Sequence, residues 1–294
     1  MSLVVNIICR NLSEDRVIPR FARYLRDNLG WELTARPVPA DVYYLSAYFE
    51  EQMLRPWPKN KPVMAYFTHR EVEPPGNTKA KLFDSMAGRV DLRIATAAMY
   101  AEYLSTFGQT AQINPPVERE RFTIPKQRNA RPVLGFSGYT YLNKRKGEDI
   151  ARVLVTARNG RSHEWRASGR GWPVPTRRYP WAQMPSFYQS LDVLIVTSRV
   201  EGVPMPPLEC MTCGVSVVIP YGVGLLDELP ELPGIHRYKA GSAKDATRAL
   251  DEALALRSKV DRGALRDATD PYTITAWCEQ HRHAVEEVFE WEEA

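Results

Sequence analysis

Residues 192–213 read DVLIVTSRVEGVPMPPLECMTC. The β-branched and aliphatic run at 192–197 predicts a buried strand. Pro206 and Pro207 suit the first turn of a helix over 205–213, where a backbone N–H is spare. Strand, loop and helix in this order are one repeat of a parallel sheet covered by helices. Glu201 falls in the loop and Glu209 about one turn into the helix, a placement that lets both carboxylates face one hydroxyl-rich ligand. Two carboxylates near a helix start also serve as ordinary dipole compensation.

The same alternation extends in both directions. Strands are predicted at 132–137, 163–168, 215–219 and 235–239, with helices near 147–158, 183–190 and 242–257. Upstream, strands are predicted at 3–9, 31–36, 42–46, 63–68 and 91–96. A helix starts at Ser13-Glu14-Asp15 and runs to about Asn28, and Pro74-Pro75-Gly76 acts as punctuation. Near residue 115 the pattern breaks at Pro115 and Pro116 and gives way to a polar stretch without apolar period. The expected organisation is α/β: a first domain over 1–120, a linker over 121–131, a second domain over 132–272, and a helix over 273–294 that packs back toward domain one.

A chain of 294 residues, 44% hydrophobic and 25% charged, is long enough for two cores and too apolar to be disordered. It contains no run of the roughly 18 to 20 apolar residues that a membrane span needs. Arg10, Glu14, Asp15 and Arg16 stand where a signal-peptide core would be, so the expected location is the cytoplasm, with peripheral membrane contact left open. The four cysteines are too few for a disulfide framework. Cys210 and Cys213 form a lone C-x-x-C and are expected to be buried thiols rather than metal or redox groups. The net charge of +4 lies wholly in residues 1–130, a mildly basic face suited to an anionic acceptor, a membrane surface, nucleic acid or simply solvent.

In parallel sheets, ligands bind beyond the carboxyl ends of the strands. After 132–137 comes Gly138–Gly147, with Lys144, Arg145 and Lys146 opening onto a helix. Cations beside a helix N-terminus suit a diphosphate, and also a solvated basic turn. After 63–67 comes His69, placed to relay a proton or bond a sugar hydroxyl, or to cap and pack.

The segment from Phe187 to Val218, with seven residues between Glu201 and Glu209, resembles the retaining GT-B glycosyltransferases of family 4. So do Lys146-Gly147, the turn from Gly222 to Glu228, and Asn114 to Phe122, so that the likeness covers roughly residues 90 to 290. The resemblance implies the GT-B fold, two Rossmann-like domains facing a cleft, and a retaining, metal-independent transfer from a UDP-, GDP- or ADP-sugar. The nucleotide-sugar is then a co-substrate, and no cofactor is expected.

On that likeness Lys146 pairs with the donor diphosphate, and Gly138, Ser198 and the backbone of Gly202, Val203, Pro204 and Met205 approach the substrate. Glu209 binds the ribose, Glu201 touches the transferred sugar, Tyr179 lies near the base and His69 contacts the sugar. The chain departs from the family at Tyr139, where an Arg is usual and Arg145 is the expected substitute. It departs also at Pro204, where a glycine is usual, and at Arg10-Asn11-Leu12, which is not Gly-rich. The acceptor expected is a glycan, a lipid-linked or a small molecule. The alternatives are a nucleic acid with a modified base, or a protein that binds a nucleotide-sugar without catalysis. No lysine segment for pyridoxal phosphate argues for a phosphorylase.

Overall fold

The computed structural model describes residues 3–13, 15–71, 78–158 and 163–289; Glu14, Pro74-Pro75-Gly76 and the end of the C-terminal tail, used as signals above, lie outside them. The chain divides into two compact units, Met1–Pro116 with Ile274–Ala294, and Val117–Thr273.

In the first unit, β1 (Val5–Ile8), α1 (Val17–Leu29), β2 (Glu32–Thr34), β3 (Val42–Leu45), β4 (Val63–Phe67), α2 (Thr78–Ala87), β5 (Leu92–Ala95), α3 (Ala98–Ser105) and β6 (Thr110–Gln112) follow one another. The six strands form one sheet in the order β2-β1-β3-β4-β5-β6, and every neighbouring pair is parallel. Helices on both faces explain why β1, β4 and β5 are buried at every position instead of alternating. The edge strand β6, Thr110–Gln112, has no fully buried residue, and no apolar run announces it. Helix α1 begins at Val17, two residues beyond the Ser13–Asp15 start signal, and ends at Gly30, whose left-handed backbone donates to Arg26 O at 3.0 Å.

The second unit contains β7 (Val133–Tyr139), α4 (Glu148–Ala157), β8 (Glu164–Arg170), β9 (Thr176–Arg177), α5 (Met184–Gln189), β10 (Val193–Ile195), α6 (Met205–Thr212), β11 (Ser216–Pro220), β12 (Ile235–Tyr238), α7 (Ala243–Leu256) and α8 (Arg262–Asp267). Its sheet runs β12-β11-β10-β7-β8-β9, all parallel. From β7 the chain builds outward to β9, then returns to β10 on the other side and builds outward to β12. The β7/β10 boundary is therefore the topological switch point, where crevices form at the carboxyl ends of such sheets. Leu134, Phe136, Ile150, Leu154, Val193 and Val218 form a core closed by α7, whose Ala246, Ala249 and Ala253 are fully buried.

Residues 121–131 pack within the second unit. Arg262 donates to Pro125 O at 2.9 Å, Arg128 donates to Val260 O at 2.8 Å, and Arg266 donates to Arg119 O at 2.7 Å. Phe122 is fully buried against Trp181 and Tyr188. A stretch fastened by arginine-to-carbonyl bonds from distant residues shows no hydrophobic period, which is why it reads as a linker. The chain enters and leaves this unit at adjacent points: Val117 bridges Thr273 in parallel, and its N–H donates to Tyr272 O at 2.7 Å.

The C-terminal helix α9 (Ile274–Phe289) belongs to the first unit and packs on α1. Trp277 meets Phe21 at 5.3 Å between ring centroids and Tyr66 edge-on at 6.4 Å. Tyr44, Tyr48 and Tyr66 are core residues, and Trp57 lies under the Arg89 guanidinium at 3.9 Å. His281 is fully buried. Its Nδ1 lies 2.9 Å from Trp277 O, which can only accept, so Nδ1 carries the proton and Nε2 accepts from Tyr44 OH at 3.0 Å.

Burial pushes the His281 imidazole from its ordinary value down to about 3. The unfolded chain therefore takes up a proton that the folded chain refuses, and stability present above about pH 6.5 is lost as the pH falls toward 3, by up to a few kcal/mol. Urea unfolding between pH 7 and 4 is expected to show this slope, and His281→Gln is expected to flatten it; an unchanged slope would show that another group titrates.

Candidate active site

Two loops leave the switch point side by side. Gly138 stands at the end of β7 and the loop after it carries Arg145 and Lys146, whereas the loop after β10 carries Ser198, Glu201, Gly202, Val203 and Pro204. They are joined through the main chain: Thr197 Oγ1 donates to Lys146 O at 2.5 Å, and Arg199 N–H donates to Arg145 O at 2.8 Å. Gly147 makes this approach feasible. Its φ is +67°, and a Cβ there would stand 1.9 Å from Thr197 O, so a glycine after Lys146 is a steric requirement.

Lys146 then points to Glu201. Its ammonium donates to Glu201 Oε1, and Ser198 Oγ donates to the same oxygen at 2.5 Å. Both partners are largely withdrawn from solvent, with side chains 14% and 9% exposed. Burial by itself would raise the Glu201 carboxyl, yet the nearby Lys146 charge and the bonds from Lys146 and Ser198 outweigh it and hold the group below its ordinary value, with Arg145 adding to the same field. A small cavity is lined by Ser137, Lys146, Trp172, Ser198, Glu201 and Pro204, among others.

Glu209 is 2% exposed in α6. Burial, and next the charge of Glu209, push the Tyr188 phenol well up, and Tyr188 OH lies 3.1 Å from Ser137 Oγ. Tyr188 therefore links Glu209 to the exit of β7, a connection the sequence did not signal. The Met205 N–H is turned onto Val203 O at 2.9 Å, and Pro204 supplies no N–H.

Trp172 was also missed. Its Nε1 donates to Gly138 O at 2.8 Å and its indole stacks on Phe136 at 5.0 Å. The signal was the pair Gly169 and Gly171 at the end of β8: a Cβ on Gly169 would stand 2.1 Å from Gly138 O, and one on Gly171 1.9 Å from Thr140 Oγ1. These glycines let the exits of β7 and β8 close up beneath Trp172. Arg170 between them lies over the Tyr139 ring at 5.3 Å, and Arg145 lies over Tyr141 at 4.5 Å, so cations flank the aromatic residues of this loop. Tyr179 follows β9, packed on Phe187 at 5.0 Å with Arg177 over its face at 5.0 Å.

His69 stands in the first unit at the carboxyl end of β4. Its Nδ1 is 3.3 Å from Thr68 Oγ1 and its Nε2 is 3.9 Å from Glu71. Cys210 and Cys213 are free thiols in the core, and burial pushes the Cys213 thiol up to about 12. Among the described residues no cluster of His, Cys, Asp or Glu is arranged to hold a metal, and no helix is long and apolar enough to cross a membrane.

Residues 176–263 match the family model of the glycosyl transferases group 1. Among solved structures, the chain is similar to HepE of Anabaena in complex with UDP-glucose, with a TM-score of 0.74 and 11% identity over 97% of this chain and 100% of that one. It is also similar to sucrose-phosphate synthase of Thermosynechococcus elongatus, with a TM-score of 0.71 and 15% identity over 95% and 81%. A glycosyltransferase of Rickettsia africae gives 0.70 and 10% over 99% of each chain. The chain has the GT-B glycosyltransferase fold. No curated protein matches it by sequence. The group 1 match covers the loop with Glu201 and helix α6.

Gly147→Ala is expected to lower stability by more than about 1 kcal/mol, because it combines a left-handed backbone with a main-chain clash. It is also expected to displace Lys146. Chemical denaturation reads the first effect and nucleotide titration the second; a fully stable variant with normal binding would show that the loop need not lie against Thr197.

Proposed function

We propose that the protein is a retaining, metal-independent glycosyltransferase whose second unit binds the nucleoside diphosphate of a UDP-, GDP- or ADP-sugar. The observation that carries this is the half-buried Lys146 ammonium at the switch point, paired with the Glu201 carboxylate, to which Ser198 also donates. Lys146 is a cation beside the N-terminus of α4, where its charge and the helix dipole act on the same anion. A donor diphosphate reaching Lys146 takes the place of Glu201 on the ammonium and leaves that carboxylate to face the sugar.

In the transfer, the bond between the anomeric carbon and the diphosphate oxygen breaks with its electron pair going to the diphosphate. An acceptor hydroxyl forms the new bond on the same face, and its proton passes to the departing oxygen or to solvent. Lys146 stabilises the charge on the leaving group, and Glu201 stabilises the positive charge at the sugar. Glu209 holds ribose hydroxyls once the site is filled, and Tyr179 lies by the base. A glycan, lipid-linked or small-molecule acceptor is proposed, and the four free thiols agree with a cytoplasmic setting.

A panel of UDP-, GDP- and ADP-sugars is expected to reveal one donor that is slowly hydrolysed, with the rate unchanged by EDTA. Lys146→Ala is expected to weaken nucleoside diphosphate binding at least about tenfold, whereas Glu201→Gln lowers turnover about a hundredfold and leaves binding equal or tighter. Unaltered hydrolysis in both variants, or no donor in the panel, would remove the assignment.

A further inference from the structure

The turn before Lys146 holds one residue in an unfavourable backbone shape. Lys144 has φ +55° and is the one non-glycine residue with a positive φ among those described, a conformation that L side chains adopt rarely and that persists where neighbours enforce it. Its carbonyl accepts from Gly147 N–H at 2.9 Å and from Arg199 Nη1 at 2.7 Å. The next carbonyl, of Arg145, accepts from Arg199 N–H, and the one after, of Lys146, accepts from Thr197 Oγ1. Three successive carbonyls of the cation run are thus taken by residues 197–199.

The Arg199 guanidinium is itself aimed by Asp149 in the first turn of α4, through Nη1 at 3.0 Å and Nη2 at 2.7 Å. An exposed ion pair alone contributes little. Here the fork geometry directs a further N–H onto a strained carbonyl, and both arms join the two loops of the site.

We infer that Arg199, aimed by Asp149, is a positioning residue that holds the Lys144 turn and thereby sets where Lys146 meets an anionic ligand. The inference rests on the diphosphate reading of Lys146. Arg199 bonds to the main chain of the Lys144 turn and to Asp149, so the effect of its loss is expected on phosphate binding and not on recognition of the nucleoside.

The test is calorimetric titration with UDP, GDP and ADP, and with the corresponding nucleosides, accompanied by thermal melts. Arg199→Ala is expected to weaken the best-bound nucleotide about five- to tenfold, the factor for one or two lost hydrogen bonds, while its nucleoside binds unchanged. Arg199→Lys restores part of the loss, since one ammonium reaches the carbonyl without the fork. Asp149→Asn gives a smaller loss of the same kind and serves if Arg199→Ala does not fold. In the Lys146→Ala background, Arg199→Ala costs no further affinity.

A lower melting temperature with unchanged nucleotide affinity would overturn the inference, as would equal weakening of nucleoside and nucleotide, or losses that add across the double variant. If Lys146→Ala itself leaves nucleotide affinity unchanged, the diphosphate reading fails with it, whereas a loss in Lys146→Ala without one in Arg199→Ala removes only the positioning role.

Discussion

The contact between the Lys146 ammonium and the Glu201 carboxylate, drawn out of water at the boundary of β7 and β10, is what the rest of the second unit is arranged around. Two ions so little exposed lose hydration, and their attraction offsets that loss only when the remaining hydrogen-bonding capacity is met. Ser198 helps meet it by donating to the same oxygen as Lys146. The pair is thus costly to leave broken. Its position follows from strand order: the chain reverses direction across the sheet only at β7/β10, so only there do two loops diverge and leave a crevice.

Glycine geometry sets how near the strand exits come to one another. Gly147 admits Thr197 O, Gly169 admits Gly138 O, and Gly171 admits the Thr140 hydroxyl. Any side chain at these places would force apart the exits of β7, β8 and β10 and carry Lys146 away from Glu201. Trp172 covers the resulting junction and bonds to Gly138 O, so the cavity wall beside Lys146 is fixed by packing as well as by the main chain.

The two units are held together internally by different means. In the second, arginines at 262 and 266 fasten carbonyls between 119 and 125, which converts a polar stretch into ordered structure without an apolar stripe. In the first, α9 closes the unit with an aromatic cluster around a neutral, buried His281. Such a histidine is satisfied only by the carbonyl one turn back and by Tyr44, and the arrangement fixes both tautomer and helix rotation.

Continuous apolar runs such as residues 63–67 and 192–197, each followed by turn residues, determined the parallel strands and their order along the chain, because strands buried on both faces admit little else. The spacing of Glu201 and Glu209 and the Lys146-Gly147 pair were equally readable, since each reflects a local need of a loop or helix start. The edge strands β6 and β9 were not, because a short strand with one neighbour needs no apolar pattern. Nor was the fastening of residues 121–131, or the link from Glu209 through Tyr188 to Ser137. Those arise from bonds between groups tens of residues apart, whose partners are chosen when the sheet brings the loops together. Side-chain chemistry is written locally, but which carboxylate neutralises Lys146 is decided by the approach of two loops that bring together residues 55 positions apart.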